Sequence, residues 1–135
     1  MARRNYYTGK YELSKEEYLS AKYYAQRYME WLTRYNSLKD SVAAIVSDDM
    51  PHGKGGISDP TERLATERAE LKTKIEKIED AAREADSELG HYLLLMAVTP
   101  GMTYDTLVAA HNMPCGKDMF YDRRRKFYWL LSKKI

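Results

Sequence analysis

Apolar and aromatic residues recur along this chain in alternating steps of three and four, the spacing of one face of an α-helix. The first such stripe is Tyr18, Ala21, Ala25, Tyr28, Leu32, Tyr35, Leu38, Val42 and Ile45. It opens at Ser14-Lys15-Glu16-Glu17, the Ser-x-x-Glu form of a capping box, and meets no helix breaker before Met50-Pro51. The spacing predicts one helix of about 32 residues, roughly 48 Å long, which is more than a small globular core needs and points to an extended helical pairing. A second stripe is stricter. Leu64, Arg68, Leu71, Ile75, Ile78, Ala82, Ala85 and Leu89 follow in steps of 4-3-4-3-4-3-4, with Glu and Lys crowding the positions between. This is a coiled-coil seam with one cation, Arg68, inside it, and Leu64, Leu71, Ile75 and Ile78 are its candidate oligomerisation residues. Asp59 is placed to cap this helix, with Pro60 at its first position and Glu62 three residues on. The segment 49–59 between the stripes carries Pro51, Gly53, Gly55 and Gly56 and reads as a loop. The two long helices can fold back as an antiparallel hairpin, pair with another chain, or do both; periodicity does not choose.

The rest of the chain divides into shorter helices. A weak break at Ala85-Asp86-Ser87-Glu88-Leu89-Gly90 places a cap at Asp86 or Ser87 and starts a third helix with Leu89, Tyr92, Leu93 and Met96, ended by Pro100-Gly101. A fourth, from about Tyr104 to His111, starts at a Thr103 cap and is stopped by Asn112 and Pro114. A fifth, from about Gly116 to Ser132, has Arg123-Arg124-Arg125-Lys126 in its middle. A short helix, a tight turn and a longer basic helix are the layout of a helix-turn-helix, whose second helix enters the DNA major groove. At roughly 100° per residue, Met119, Phe120, Phe127, Leu130 and Leu131 share an inner side with Arg123 at its margin. Lys117, Asp118, Tyr121, Asp122 and Arg125 face outward, and Arg124 and Lys126 fall on the flanks. The expected architecture is all-α: a basic, Tyr-rich arm over 1–13, a long helical hairpin or coiled coil over 14–85, and a helix-turn-helix domain over 86–135 that folds at least partly by itself.

Charge sharpens this picture. The 135 residues carry a net charge of only +2, so the chain as a whole is not a polycation. From His91 to Ile135 there are seven Lys/Arg against three Asp/Glu, or +4, whereas from Thr61 to Gly90 there are six against nine, or −3. Positive charge therefore gathers at the helix-turn-helix end, with a second patch at Arg3-Arg4. Four consecutive cations repel one another, which favours a polyanion nearby. The single cysteine, Cys115, excludes an intrachain disulfide framework and is placed as a small turn residue where Ser or Thr often caps a recognition helix. There is no apolar run of membrane-spanning length and no signal-peptide core, so a reducing cytoplasm and no membrane are the expectation.

Catalytic and metal chemistry find little support. His52, His91 and His111 with Cys115 match no common zinc spacing. Asp48, Asp49 and Asp59 read more simply as helix-end and capping residues. Gly53-Lys54-Gly55-Gly56 lacks the Gly-Lys-Ser/Thr ending of a phosphate loop and a preceding strand. No nucleophile–base pair is visible. The residues predict no catalytic site, no metal and no cofactor.

Two stretches carry a family resemblance. Met50-Pro51-His52-Gly53-Lys54-Gly55-Gly56-Ile57-Ser58-Asp59-Pro60-Thr61 resembles the Pro-x-Gly-x-Gly…Ser-Asp-Pro motif of small phage and prophage transcription regulators, the RinA/ArpU-like proteins. Asp118-Met119-Phe120-Tyr121-Asp122-Arg123-Arg124-Arg125-Lys126-Phe127-Tyr128-Trp129-Leu130 is similar to that family's closing aromatic-Arg helix. The resemblance covers roughly residues 36–135, and the family's C-terminal part is similar to domain 4 of bacterial sigma factors. The turn Met113-Pro114-Cys115-Gly116 is about one residue longer than the shortest helix-turn-helix turn, and Val108 stands where Ala is common. The resemblance implies control of phage late genes, for packaging and morphogenesis, in the cytoplasm of a bacterial host.

The expected function is non-catalytic, sequence-specific binding of double-stranded DNA by a homo-oligomer, with host RNA polymerase or sigma factor as a further partner. Thr103 and the start of the fourth helix would hold phosphate through backbone N–H groups. Lys117, Tyr121 and Arg125, with Asp118 beside them, would meet base edges, and Arg124, Lys126, Lys133 and Lys134 would hold phosphates. Two other readings share these features: a small terminase subunit that packages DNA, and a helical adaptor that binds sigma factor or polymerase without touching DNA.

Overall fold

The computed structural model describes residues 5–7, 9–47 and 59–135, with side chains over 9–40 and 60–135. The glycine-rich stretch up to Ser58 and the Arg3-Arg4 patch lie outside the described residues. The fold is all-α apart from one small ribbon. In chain order, β1 (Asn5–Tyr7) leads through a 3-10 turn (Gly9–Tyr11) to β2 (Leu13–Ser14), and then come α1 (Lys15–Gln26), α2 (Tyr28–Ser47), α3 (Asp59–Ala85), α4 (Gly90–Val98), α5 (Tyr104–His111) and α6 (Lys117–Lys134). β1 and β2 pair antiparallel, Asn5 opposite Ser14 and Tyr7 opposite Leu13, with an irregularity between Asn5 and Tyr7. The described part of the N-terminal arm is anchored by Leu13 and Tyr11, both almost wholly buried.

The capping box at the start of α1 is complete. Ser14 Oγ accepts from Glu17 N–H at 3.1 Å and Glu17 Oε1 accepts from Ser14 N–H at 3.0 Å. The single long helix expected from the first stripe is instead two, separated at Arg27. There the N–H bonds back three residues to Tyr24 at 3.1 Å, the tight bond of a 3-10 turn replacing the α-helical one. No Gly or Pro marks the spot, and Ala25 and Tyr28 on either side of the break are both buried.

The chain forms two compact units. One takes Met1–Tyr28 with Lys77–Ile135, the other Met29–Glu76. In the smaller unit, α2 and the first part of α3 meet through polar and aromatic pairs in antiparallel order. Lys74 Nζ lies 5.2 Å from the Trp31 ring centroid. Arg34 grips the Glu67 carboxylate with Nε–Oε1 at 2.9 Å and Nη2–Oε2 at 3.1 Å. Arg68, the cation in the seam, stacks over Tyr35 at 4.6 Å and donates to its hydroxyl at 3.0 Å. Among the described residues, Trp31, Leu38, Leu71 and Ile75 are the buried apolar ones of this unit, and Leu64 is half-buried.

The larger unit holds most of the core. α6 packs chiefly on α1, with α4 against both and the Gly9–Tyr11 turn against α6. Tyr18 of α1 meets Tyr128 of α6 edge-on at 5.1 Å between centroids, and the Tyr128 hydroxyl reaches Met96 Sδ of α4 at 3.7 Å. The seam register continues into this unit, where Ile78, Ala82, Ala85 and Leu89 are all buried. Gly90 has a steric reason to be glycine: a Cβ there would sit 3.2 Å from the Ala82 carbonyl oxygen of α3.

Candidate nucleic-acid interface

Leu107 of α5, Met113 in the turn and Phe120 of α6 are buried, and the Tyr104 ring of α5 lies 5.6 Å from the Phe120 ring of α6. Thr103 caps α5, its Oγ1 accepting from Thr106 N–H at 3.2 Å and lying 3.0 Å from the Thr106 hydroxyl. Asn112 ends α5 in the left-handed region, φ 52° and ψ 51°, a conformation its short amide side chain tolerates. Met113 N–H then bonds back to Leu107 O at 3.4 Å, and Tyr104 OH donates to Cys115 O at 2.6 Å. The first residue of α5 is thereby tied to the end of the turn. The cap of α6 is Gly116, without a side-chain hydrogen bond, rather than Cys115. Cys115 is half-buried, and burial, helped by the Asp86 carboxylate, pushes its thiol up from the usual range.

The packed side of α6 is rotated from the expected one. Phe120, Phe127, Tyr128 and Leu131 are buried, while Met119, expected inside, is 44% exposed. At about 100° per residue this turns the inner stripe toward Arg124 and away from Arg123. The physical reason lies in α1, whose Tyr18 supplies an aromatic partner for Tyr128 across the core. Lys117, Asp118 and Met119 stay exposed in the first turn, with Tyr121, Asp122 and Arg125 half-buried behind them. Tyr121 leans on the Phe120 ring at 5.4 Å.

The four-cation run is dispersed by the helix. Arg123 Nε pairs with Asp86 Oδ2 at 3.0 Å, and Arg123 also meets Asp122. Arg124 Nη2 donates to the Tyr18 hydroxyl at 3.3 Å, with its guanidinium 5.6 Å from the Tyr128 ring and 5.8 Å from the Tyr121 ring. Arg125 Nη2 stands 3.9 Å from Asp122 Oδ1, on a pair 40% exposed at both ends, where screening leaves little energy. Lys126 lines an open polar cleft of about 530 Å³ together with Lys10, Glu84, Asp86 and Glu88. In the last turn, Lys133 Nζ sits 3.6 Å from the Trp129 ring centroid and Lys134 Nζ 2.7 Å from Glu84 Oε2. The residues expected to read bases are thus grouped on the first turns of α6. The expected phosphate ligands are scattered, and several rest on their own chain. Leu71, Ile75 and Ile78 are buried in the seam.

Asp86 is not the cap of α4 that the sequence suggests, since the N-cap is Leu89 without a side-chain hydrogen bond; it ties the α3–α4 turn to α6 instead. Its Oδ1 accepts from Glu88 N–H and Leu89 N–H, both at 2.9 Å, while Oδ2 holds Arg123 of α6. Burial pushes this carboxyl up, but the hydrogen bonds from Leu89, Arg123 and Glu88 outweigh it, leaving Asp86 below the ordinary aspartate range. A carboxylate lowered on folding adds stability that is fully present above its unfolded value of about 3.9 and is lost as pH falls through the folded value. Asp86→Ala is expected to cost about 2 kcal/mol at pH 7, with the gap to the unaltered chain narrowing toward pH 2.5. Urea denaturation of both chains at the two pH values checks it; a gap independent of pH would mean that the charge on Asp86 contributes nothing.

Among the described residues, no group of three or more His, Cys, Asp or Glu is placed to hold a metal ion, and no helix is long and apolar enough to cross a membrane. Comparison of the chain with protein-family models, with curated proteins and with solved structures returned no match.

Proposed function

We propose that the α5–α6 pair binds double-stranded DNA in a sequence-dependent way and that the chain is a non-catalytic transcriptional regulator. The observation that carries this is a polar stripe at the start of α6, exposed at Lys117 and Asp118 and half-buried at Tyr121 and Arg125. Lys117, Tyr121 and Arg125 follow at steps of four, beside Asp118, along one edge of the stripe of Phe120, Phe127, Tyr128 and Leu131 that holds the helix to the core. A rigidly backed helix with donors at that spacing suits base edges in a major groove, and the left-handed turn at Asn112 sets α5 before it. In this reading Lys117, Tyr121 and Arg125 meet bases, Lys126 and the N–H groups after Thr103 meet phosphates, and two copies of the chain present two such helices. Control of phage late genes, and contact with host polymerase or sigma factor, follow from the resemblance to RinA/ArpU-like regulators.

Fluorescence anisotropy of the full chain on duplex DNA tests the proposal. Affinity should fall steeply with salt, because each phosphate contact releases counterions. Arg125→Ala should cost about 1–3 kcal/mol and relax sequence preference at one position, whereas Lys126→Ala should weaken all sequences alike. Absence of binding at low salt, or binding indifferent to salt, overturns the reading. A ring-sized native mass would instead favour a DNA-packaging subunit.

A further inference from the structure

Arg124 occupies a position on α6 that a phosphate ligand would not. Phe120 lies four residues before it, Phe127 three after, Tyr128 four after and Leu131 seven after, and all four are buried. These offsets define one helix face, so Arg124 stems from the middle of the packed stripe. Its guanidinium leaves that stripe between aromatic groups. It donates to the buried Tyr18 hydroxyl of α1 at 3.3 Å and lies 5.6 Å from the Tyr128 ring on one side and 5.8 Å from the Tyr121 ring on the other. Tyr18 and Tyr128 are in turn locked edge-on at 5.1 Å. A planar, delocalised guanidinium suits such a niche, because it offers forked donors at its edge and a face to aromatic rings, and it is more weakly hydrated than an ammonium.

We propose that Arg124 is a positioning residue for DNA recognition: it clamps the Tyr121 ring to the α1–α6 core and so fixes the base-reading face of α6. This rests on the DNA-binding reading above and assigns to Arg124 a role different from the phosphate contact expected of a cation in that run. Tyr121 has Phe120 on one flank, at 5.4 Å, and Arg124 on the other. With the clamp in place its ring cannot swing freely, and a reading side chain already held loses less freedom on binding. Tyr18 is the second half of the device, through which α1 acts on the reading face without touching DNA.

Salt dependence separates the two roles, because a phosphate ligand contributes to the slope of log K against log salt and a positioning residue does not. The probes are a duplex of about 20 base pairs selected from a random library by the full chain, and a scrambled duplex of the same composition. Full-length Arg124→Lys keeps the charge and loses the fork and the planar face. It should bind the selected duplex about tenfold more weakly, bind the scrambled duplex as the unaltered chain does, and keep the salt slope. Arg124→Ala should do the same, and Tyr18→Phe should move affinity in the same direction by a smaller factor. Thermal melts followed by circular dichroism confirm that each variant is folded at the assay temperature; where Arg124→Ala is not, Arg124→Lys and Tyr18→Phe decide. The proposal is overturned if Arg124→Lys binds like the unaltered chain while Arg124→Ala weakens both duplexes with a slope smaller by about one. It is equally overturned if the variants melt lower yet keep full affinity and preference. A failure of the underlying reading shows differently: the unaltered chain then binds neither duplex.

Discussion

A fragment of residues 86–135 is expected to be largely unfolded, not partly folded as the sequence alone suggests, because its unit also takes in Met1–Tyr28 and the end of α3. It contains the whole α5–α6 pair, yet the core it needs is supplied from both sides of the boundary. Tyr11, Leu13, Tyr18, Ala21 and Ala25 come from the N-terminal residues, and Ile78, Ala81, Ala82 and Ala85 from the end of α3; all are buried in the unit that α6 completes. Burying one large apolar side chain contributes about 1.5–3 kcal/mol. Losing Leu13, Tyr18 and Ile78 alone therefore removes an amount comparable with the total stability of a small domain, about 5–15 kcal/mol. Far-ultraviolet circular dichroism of the fragment should show little helix and no cooperative melt, and its DNA affinity should be lost with its structure. A chain in which Met29–Glu76 is replaced by a short Gly-Ser linker tests the same point from the other side. It keeps Met1–Tyr28 with Lys77–Ile135 and should retain a cooperative melt. A well-folded 86–135 fragment would show that α4–α6 need no help from α1.

The second large effect is expected at Ile78, which is fully buried. Ile78→Asp replaces a well-packed side chain with a carboxylate that has no partner, at a cost of about 3–5 kcal/mol. Thermal denaturation should show a much lower midpoint or no cooperative transition. Ile78→Val at the same site should cost only about 1 kcal/mol, which separates the charge from the shape. A small effect of Ile78→Asp would place residue 78 at the surface and contradict the seam register.

Short-range signals were the readable part of the chain. The Ser14–Glu17 box, the Thr103 cap and the Asn112 stop each depend on residues within a few positions, and each is found where the local chemistry puts it. The α3 register is readable for a related reason: a strict 4-3 alternation leaves one face to bury, and Leu71, Ile75, Ile78, Ala82 and Ala85 are on it. What escaped is long-range. The β1–β2 ribbon has no turn dipeptide to announce it, and the break at Arg27 involves neither Gly nor Pro. The inner side expected for α6 takes in Met119 and does not include Tyr128, because the partner that selects it, Tyr18, is far away in sequence. The partners of the cation run are equally remote, with Asp86 37 residues from Arg123 and Tyr18 106 from Arg124. Four adjacent cations look like mutual repulsion along a line. On a helix they point four ways, and three of them find intrachain partners, Arg123 at Asp86 and Asp122, Arg124 at Tyr18 and Arg125 at Asp122.

The distance in sequence between Tyr18 and its neighbours on α6 also sets an order of events during synthesis. α1 emerges from the ribosome before α4 and α6, with Tyr18, Ala21 and Ala25 on a face whose chief cover is the eighteen-residue α6, more than ninety residues further on. Closing a loop of about a hundred residues is slow compared with forming a helix turn. Until α6 is made, the nascent chain therefore carries an incompletely covered aromatic and small-residue stripe, a span in which chaperones have the opportunity to bind and early collapse the opportunity to go astray. α6 closes the core of the larger unit, so a chain halted before residue 117 would lack both the finished fold of that unit and the face proposed to meet DNA.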